Sequence, residues 1–72
     1  MRIRLEQFLY PFRDIKDLKI VLKALNGDYK WYYLRDVLVL YGNIRVIKVT
    51  MVYEYNGNVM LEIQVDKGYF YS

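Results

Sequence analysis

The chain has neither cysteine nor histidine, and it contains a single proline, Pro11. The missing cysteines exclude disulfide bonds, and without either residue type the chain lacks the soft ligands of zinc sites. Histidine is the most frequent general base in enzymes, and cysteine is the most reactive side-chain nucleophile. Aliphatic hydroxyl groups occur at Thr50 and Ser72 alone, and no carboxylate pair has the spacing of a recognised metal or glycosidase site. We therefore expect a protein that is not an enzyme and that binds no cofactor and no metal.

Long apolar runs are also missing. No segment approaches the roughly 18 apolar residues that a membrane-spanning helix requires. The basic start, Met1–Arg4, is followed by Glu6 and Gln7 instead of the apolar stretch of a signal peptide. We therefore expect an intracellular protein without a membrane segment.

Apolar residues make up 56% of the 72-residue chain, and nine residues are tyrosine. This composition is not that of a disordered chain, and the length fits one domain that spans residues 1–72. A core of this size gives little surplus stability, and without disulfides or metal sites oligomerisation is the usual remedy. The formal net charge of +3 permits contact with nucleic acid without requiring it.

The many tyrosine, isoleucine, valine and lysine residues, with no cysteine and no histidine, give the chain an unusual composition. It resembles that of small orphan proteins from viruses that infect hyperthermophilic archaea. The resemblance concerns composition, involves no motif and assigns no functional residue. It implies an accessory or host-interfering role in the cytoplasm of a thermophilic host, and the lack of thermolabile cysteine is compatible with hot growth.

The first two predicted elements are a short strand and an amphipathic helix. In Met1–Glu6, apolar and charged residues alternate as they do in a half-buried strand. In Phe12–Leu25, apolar residues recur at spacings of three and four, which predicts a helix that begins near Pro11 and ends before Gly27. The apolar stripe consists of Phe12, Ile15, Leu18, Val21, Leu22 and Leu25.

The next segment, Tyr29–Tyr41, fits both a strand and a helix. Its aromatic residues and valines favour a strand, and Gly42-Asn43 offers a two-residue type II′ turn to the following strand. A strand directs Asp36 into the core, which requires a partner, a bulge or an edge position. The alternative is a helix over Leu34–Tyr41, because residues 34, 38 and 41 also form a helical stripe.

The segments Ile44–Glu54 and Asn58–Asp66 are predicted to form a β-hairpin. A two-residue Asn56-Gly57 loop is the strongest local signal, but it leaves both faces half polar. A three-residue loop that adds Tyr55 makes one face fully apolar and is preferred on that ground. A longer loop with Asn58 as the left-handed residue keeps the same faces and is the second choice.

Together these elements predict an α+β fold in the order β-α-β-β-β, with one helix packed on a small, mainly antiparallel sheet. One helix covers one face, so the other face keeps an apolar patch that soluble monomers seldom expose. We expect this patch to bind a second copy of the chain or another protein. The predicted partner face comprises Trp31, Tyr33, Val37, Val39, Tyr41, Ile44 and Val46. The leading hypothesis is therefore a small non-enzymatic binding module that acts as a homodimer through protein contact.

Nucleic acid is the alternative partner. Aromatic rings beside cations on an exposed sheet are typical of proteins that bind single strands, where bases stack on rings and phosphates contact cations. The predicted presence of Glu54 and Glu62 on this face opposes the hypothesis. A basic side of the predicted helix supports it, although an ordinary solvated helix surface also explains those cations. The candidate contacts are Trp31, Tyr33, Arg35, Lys48, Arg13, Lys16, Lys19 and Lys23.

Overall fold

A computed structural model of the chain describes residues 3–70. The fold is α+β, as predicted, with a five-stranded sheet and two short α-helices. The elements are β1 (Ile3–Arg4), α1 (Leu5–Leu9), a 3₁₀ turn (Tyr10–Phe12), β2 (Leu18–Lys23), β3 (Tyr29–Tyr33), α2 (Leu34–Tyr41), β4 (Arg45–Tyr55) and β5 (Asn58–Val65). The predicted first strand includes Met1 and Arg2, which lie outside the described residues, as do Tyr71 and Ser72.

The strands are arranged across the sheet in the order β1-β4-β5-β2-β3. Antiparallel pairing joins β1 to β4, β4 to β5 and β2 to β3, whereas β2 and β5 run parallel. Parallel neighbours require a crossover connection, which here consists of β3, α2 and β4. The sheet is therefore mixed, and its central pair is formed by strands from the two halves of the chain.

The predicted helix over Phe12–Leu25 is wrong. Its centre, Leu18–Lys23, is β2, which has a neighbour on each side in the sheet and is largely buried. The sequence there supports either structure, because every second residue is also apolar. Asp17 has a left-handed backbone with φ of 60°, which a continuous right-handed helix does not allow. Gly27, with φ of 96°, lies in the turn between β2 and β3 and not at a helix end.

The predicted strand over Tyr29–Tyr41 is correct for β3 and wrong for residues 34–41, where the alternative helix is correct. Val37 is fully buried while Val39 is 84% exposed, so the two residues lie on opposite sides of α2. Asp36 lies in the first helical turn, where a carboxylate complements the helix dipole. Gly42 has φ of −55° and caps α2, so the predicted type II′ turn does not form.

The hairpin of β4 and β5 is closed by the two-residue Asn56-Gly57 turn, so the preferred three-residue loop is wrong. Tyr55 pairs directly with Asn58. The turn residues have φ of 51° and 79°, as a type I′ turn requires at both central positions. This turn matches the twist of the strands that it joins, which explains why the local dipeptide signal was the better guide.

Two register shifts in β4 remove the polar mismatch that a regular two-residue hairpin creates. Each shift leaves one extra residue in β4, at Ile47 and at Thr50, so that the alternation of β4 changes phase relative to β5. The residues Val46, Val49 and Val52 are consequently opposite Val65, Ile63 and Leu61. The bulges thus produce an apolar face, as the longer loop was expected to do, but largely with other β4 residues.

The core lies between one face of the sheet and the two helices. Its buried side chains are Leu5, Leu9, Leu18, Ile20, Leu22, Val37, Val46, Leu61, Ile63 and Val65. Backbone bonds from Leu25 and Asn26 to the carbonyl groups of Lys67 and Gly68 hold the end of the chain beside β2. One face of the sheet is therefore covered, as predicted, but by two short helices from other segments and not by the single predicted helix.

A tyrosine pair adjoins the core beside α2. The hydroxyl oxygens of Tyr32 and Tyr41 are 3.4 Å apart, and the two rings meet at 5.4 Å between centroids. Desolvation, followed by the hydrogen bond and the charge of Tyr41, raises the pKa of Tyr32 above its usual range. The raised pKa means that the site favours the neutral phenol of Tyr32.

Candidate functional site

The sheet face opposite the helices carries no described helix. The register and the alternation of side chains place its residues in lateral rows across four strands. The rows are Tyr33, Lys19, Met60 and Tyr53; then Trp31, Val21, Glu62 and Met51; then Tyr29, Lys23, Gln64 and Lys48. We call this set of residues the open face.

A concave groove lies on the open face. Its floor includes Val21 and Met60, which are 4% and 7% exposed, and its sides include Trp31 of β3 and Tyr53 and Tyr55 of β4. Two strands separate β3 from β4, so the sides stand about 14 Å apart at the backbone. The groove encloses about 670 Å³, a volume within the usual range of small-ligand sites. We call this groove the aromatic trough.

Lys19 connects the aromatic residues of the open face. Its ammonium nitrogen lies 5.4 Å from the ring centre of Trp31 and 5.0 Å from that of Tyr33, within range of cation–π attraction. The same nitrogen donates a 3.0 Å hydrogen bond to Oδ1 of Asn58. An ammonium group has three N–H donors, so two are left for a ligand. Lys19 therefore presents a fixed positive charge directly beside two rings.

The rings beside Lys19 are only partly covered. Trp31 and Tyr33 meet edge to face at 5.3 Å between centroids, and each is 49% exposed. Tyr55 at the end of β4 is 63% exposed. A planar group can therefore reach ring surface on the β3 side and on the β4 side of the aromatic trough.

Positive charge exceeds negative charge on the open face. Lys23 and Lys48 lie in one lateral row, and neither forms an ion pair within residues 3–70. The carboxylate of Glu62 accepts a 2.6 Å hydrogen bond from the hydroxyl group of Thr50. The open face thus carries three lysines and a single carboxylate. That carboxylate already accepts a hydrogen bond from Thr50.

The structure brings five of the eight predicted nucleic-acid contacts to the open face. These are Trp31, Tyr33, Lys19, Lys23 and Lys48. The other three do not join them, since Arg13 and Lys16 lie between the 3₁₀ turn and β2, and Arg35 lies on α2. The predicted basic helix surface therefore does not exist.

Two of these contacts share a face for a different reason from the predicted one. Lys19 and Lys23 point to the same side because they are separated by an even number of residues on β2, not by one helical turn. Glu54 pairs with Val59, on the strand positions that face the helix side, so its predicted place on the open face is wrong. The open face therefore lacks one of the two negative charges that were expected to oppose an anionic ligand.

The predicted partner face does not form one surface. Four of its members are buried in the core or packed against it, namely Val37, Val46, Tyr41 and Ile44. Val39 is exposed but stands on α2, whereas Trp31 and Tyr33 belong to the open face. α2 is one cause, because a helix distributes residues 34–41 over several directions where a strand would align them. The extra residue at Ile47 is the other, because it turns Val46 to the core side of β4.

Tyr53 and Tyr55 were not predicted as site residues. In the type I′ register, Tyr55 is opposite Asn58 and Tyr53 is opposite Met60, which directs both tyrosines to the open face. The Asn56-Gly57 dipeptide was the signal that could have found them, because the turn type fixes the register of the adjoining residues.

Other kinds of site find less support in the described part of the chain. Residues 3–70 contain no cluster of three or more acidic side chains placed to hold a metal ion. None of the helices in this range is both long and apolar enough to span a bilayer. Comparison with protein-family models, curated proteins and solved structures finds no match to the chain.

Proposed function

We propose that the chain binds single-stranded nucleic acid on the open face. The observation that carries this proposal is the position of the Lys19 ammonium group beside the half-exposed rings of Trp31 and Tyr33 on an uncovered sheet. Proteins that bind single strands combine rings on which bases stack with cations that contact the adjacent phosphates. Lys19 and its two rings supply both elements within one small area.

The shape of the aromatic trough favours unpaired bases over a duplex. A flat base that enters the trough contacts the rings of Trp31 and Tyr53 and the apolar floor at Val21 and Met60. In a duplex the faces of the bases are already stacked on one another and do not reach such a site. Because stacking and charge are the main contacts, we expect little preference for sequence.

The charges of the open face extend the binding path beyond the aromatic trough. Lys23 and Lys48 lie in the lateral row next to the one that contains Trp31 and Glu62. Neither lysine has an ion-pair partner in the described residues, so both are available to phosphates. Binding through such contacts releases counterions, and the affinity is therefore expected to fall with rising salt.

The fluorescence of Trp31 tests the proposal directly, because it is the single tryptophan of the chain. We expect a single-stranded oligothymidylate to quench this emission, with an affinity that decreases as salt increases. Tyr33→Leu removes one stacking ring and one cation–π contact, and we expect about tenfold weaker binding. Tyr10→Leu is the matched control, since Tyr10 is an exposed tyrosine in the 3₁₀ turn and lies outside the open face.

Two results would contradict this function. One is the absence of quenching at low salt. The other is an equal loss of affinity in Tyr33→Leu and Tyr10→Leu, which would separate binding from the open face. Unfolding midpoints of both variants, measured by circular dichroism, show whether each chain is folded during the titration.

Protein contact through a second copy is the other candidate function, and the free edge of β4 favours it. β1 pairs only with Arg45 and Val46, so residues 47–55 have no strand beside them on that edge within the described chain. The exposed side chains along this edge include Met51 and Val52. An apolar strand edge with unpaired backbone groups is a common site of strand addition.

The homodimer predicts a sedimenting mass twice the 8.8 kDa of one chain at micromolar concentration. Val52→Lys places a charge on the free edge, which disfavours strand addition, and we expect it to shift the chain to the monomer. Val39→Lys is the control, because Val39 is exposed on α2 and away from this edge. A wild-type chain that sediments as a monomer would rule out the dimer and leave the nucleic-acid proposal intact.

A further inference from the structure

Two arginines face each other at the opposite end of β4 from the hairpin. Arg4 of β1 and Arg45 of β4 are direct partners in the antiparallel ladder, so their Cβ atoms are about 5 Å apart. With Asn43, Ile44 and Asp66 they line a polar hollow of about 410 Å³. Both arginines are exposed. Like charges directly opposite each other on adjacent strands are destabilising. A negative charge beside the two arginines would therefore stabilise this arrangement.

Among residues 3–70, no carboxylate forms an ion pair with either arginine. The ion pair between Arg13 and Asp14, at 4.0 Å, lies elsewhere. Asp66 lines the hollow, but it forms no ion pair with either arginine, and its N–H donates a 2.9 Å hydrogen bond to the backbone carbonyl of Arg45. The two guanidinium groups are therefore both exposed and without a counterion among residues 3–70.

The arginine pair lies on the same side of the sheet as the open face. Ile3 and Val46 pack toward the core, and side chains alternate along a strand, so Arg4 and Arg45 point to the other side. Asp66, beside Arg45, is separated from Met60 in the aromatic trough by about 20 Å of extended strand. One extended ligand can therefore reach both the arginine pair and the aromatic trough. The two are nevertheless separate sites.

We propose that Arg4 and Arg45 bind a phosphate dianion. Each guanidinium group has a planar fork of N–H donors that matches two oxygens of an oxyanion. A carboxylate has two oxygens and one charge, which a single arginine satisfies. A phosphate dianion has three terminal oxygens and two charges, so it accepts hydrogen bonds from both guanidinium groups at once.

The phosphate has two possible sources, a free phosphate ester or the terminal phosphate of a strand that lies on the open face. Binding of a terminal strand phosphate rests on the proposed function, whereas binding of a free phosphate ester does not. The site itself is therefore tested with inorganic phosphate, which requires no oligonucleotide. A failure of the open face and a failure of the arginine site can then be told apart.

The first experiment follows the arginine Nε–Hε resonances of the full chain by NMR during titration with sodium phosphate, against sodium chloride at matched ionic strength. We expect phosphate to shift the resonances of Arg4 and Arg45, and to bind less tightly as falling pH converts the inorganic dianion to the monoanion. Arg45→Gln is expected to weaken phosphate binding about tenfold, because it removes a charge-assisted donor pair. Arg35→Gln, an exposed arginine on α2, is expected to leave it unchanged.

Phosphate that shifts neither arginine, or binds Arg45→Gln as tightly as the wild type, would overturn the site. Arg4→Gln provides a second variant and is expected to give the same loss. Oligothymidylates with and without a 5′-phosphate or a 3′-phosphate then identify the source. If a terminal phosphate raises the affinity of the oligonucleotide, and Arg45→Gln abolishes this gain, the site binds a strand end. If inorganic phosphate binds but a terminal phosphate gives no gain, the site binds a free phosphate ester.

Discussion

Val37→Asp is expected to remove a large part of the stability of the protein at room temperature. The Val37 side chain is fully buried in α2 and packs among core residues of the sheet and of α1. An aspartate there places a carboxylate in an apolar environment without a partner, which costs roughly 3 kcal/mol or more. A chain of this length has a free energy of unfolding of roughly 4–11 kcal/mol. Urea unfolding followed by circular dichroism measures the loss.

Val39→Asp is the matched control, because it introduces the same side chain two residues away. Val39 is 84% exposed, so we expect its free energy of unfolding to change by no more than about 0.5 kcal/mol. In a strand, residues 37 and 39 would lie on one face and the two substitutions would have similar effects. Equal losses would therefore contradict the helical assignment of residues 34–41.

Lys19→Glu is expected to weaken the binding of single-stranded oligonucleotides roughly a hundredfold at low salt. The substitution removes the ammonium group that lies beside the rings of Trp31 and Tyr33 and replaces it with a charge that repels phosphate. It also adds a second carboxylate near Glu62 on the open face. Fluorescence anisotropy at several salt concentrations measures the effect. The slope of log affinity against log salt should decrease by about 0.7 for each phosphate that the variant no longer neutralises.

Arg35→Glu controls for net charge in this experiment. Both substitutions lower the formal charge of +3 by two, but Arg35 lies on α2, in the layer that covers the other face of the sheet. We expect at most about a threefold loss from the weaker long-range attraction. Equal losses in Lys19→Glu and Arg35→Glu would show that binding depends on total charge and not on the open face.

The α+β class and the last two strands were predictable because their signals are local and repeated. β5 ends within one residue of the predicted Asn58–Asp66, and β4 begins and ends one residue later than the predicted Ile44–Glu54. Both segments alternate over a long distance and adjoin a strong turn dipeptide. The bulges at Ile47 and Thr50 were not predictable from alternation alone, because only the facing strand shows which β4 residues are extra.

The candidate site was predicted in part for a similarly local reason. Trp31 and Tyr33 were expected on one face because they are two residues apart in a strand, and β3 preserves this relation. Lys19 joined them only because β2 pairs with β3, with Lys19 opposite Tyr33. The predicted helix would have placed Lys19 on the far side of the core. The combination of ring and cation therefore depends on a pairing between segments and not on spacing within one segment.

The order of residues by itself determined the tight Asn56-Gly57 turn, the extended character of Asn58–Val65, and the lack of the side chains that soft-metal and most nucleophilic chemistry needs. These properties depend on interactions within a few positions of each residue. Tertiary structure decided that Leu18–Lys23 is a strand. The segment is apolar at both helical and strand spacings, and it forms a strand because a strand is buried between β5 and β3. Tertiary structure also decided that residues 34–41 coil against the core, where Val37 is buried and Asp36 remains near the helix start.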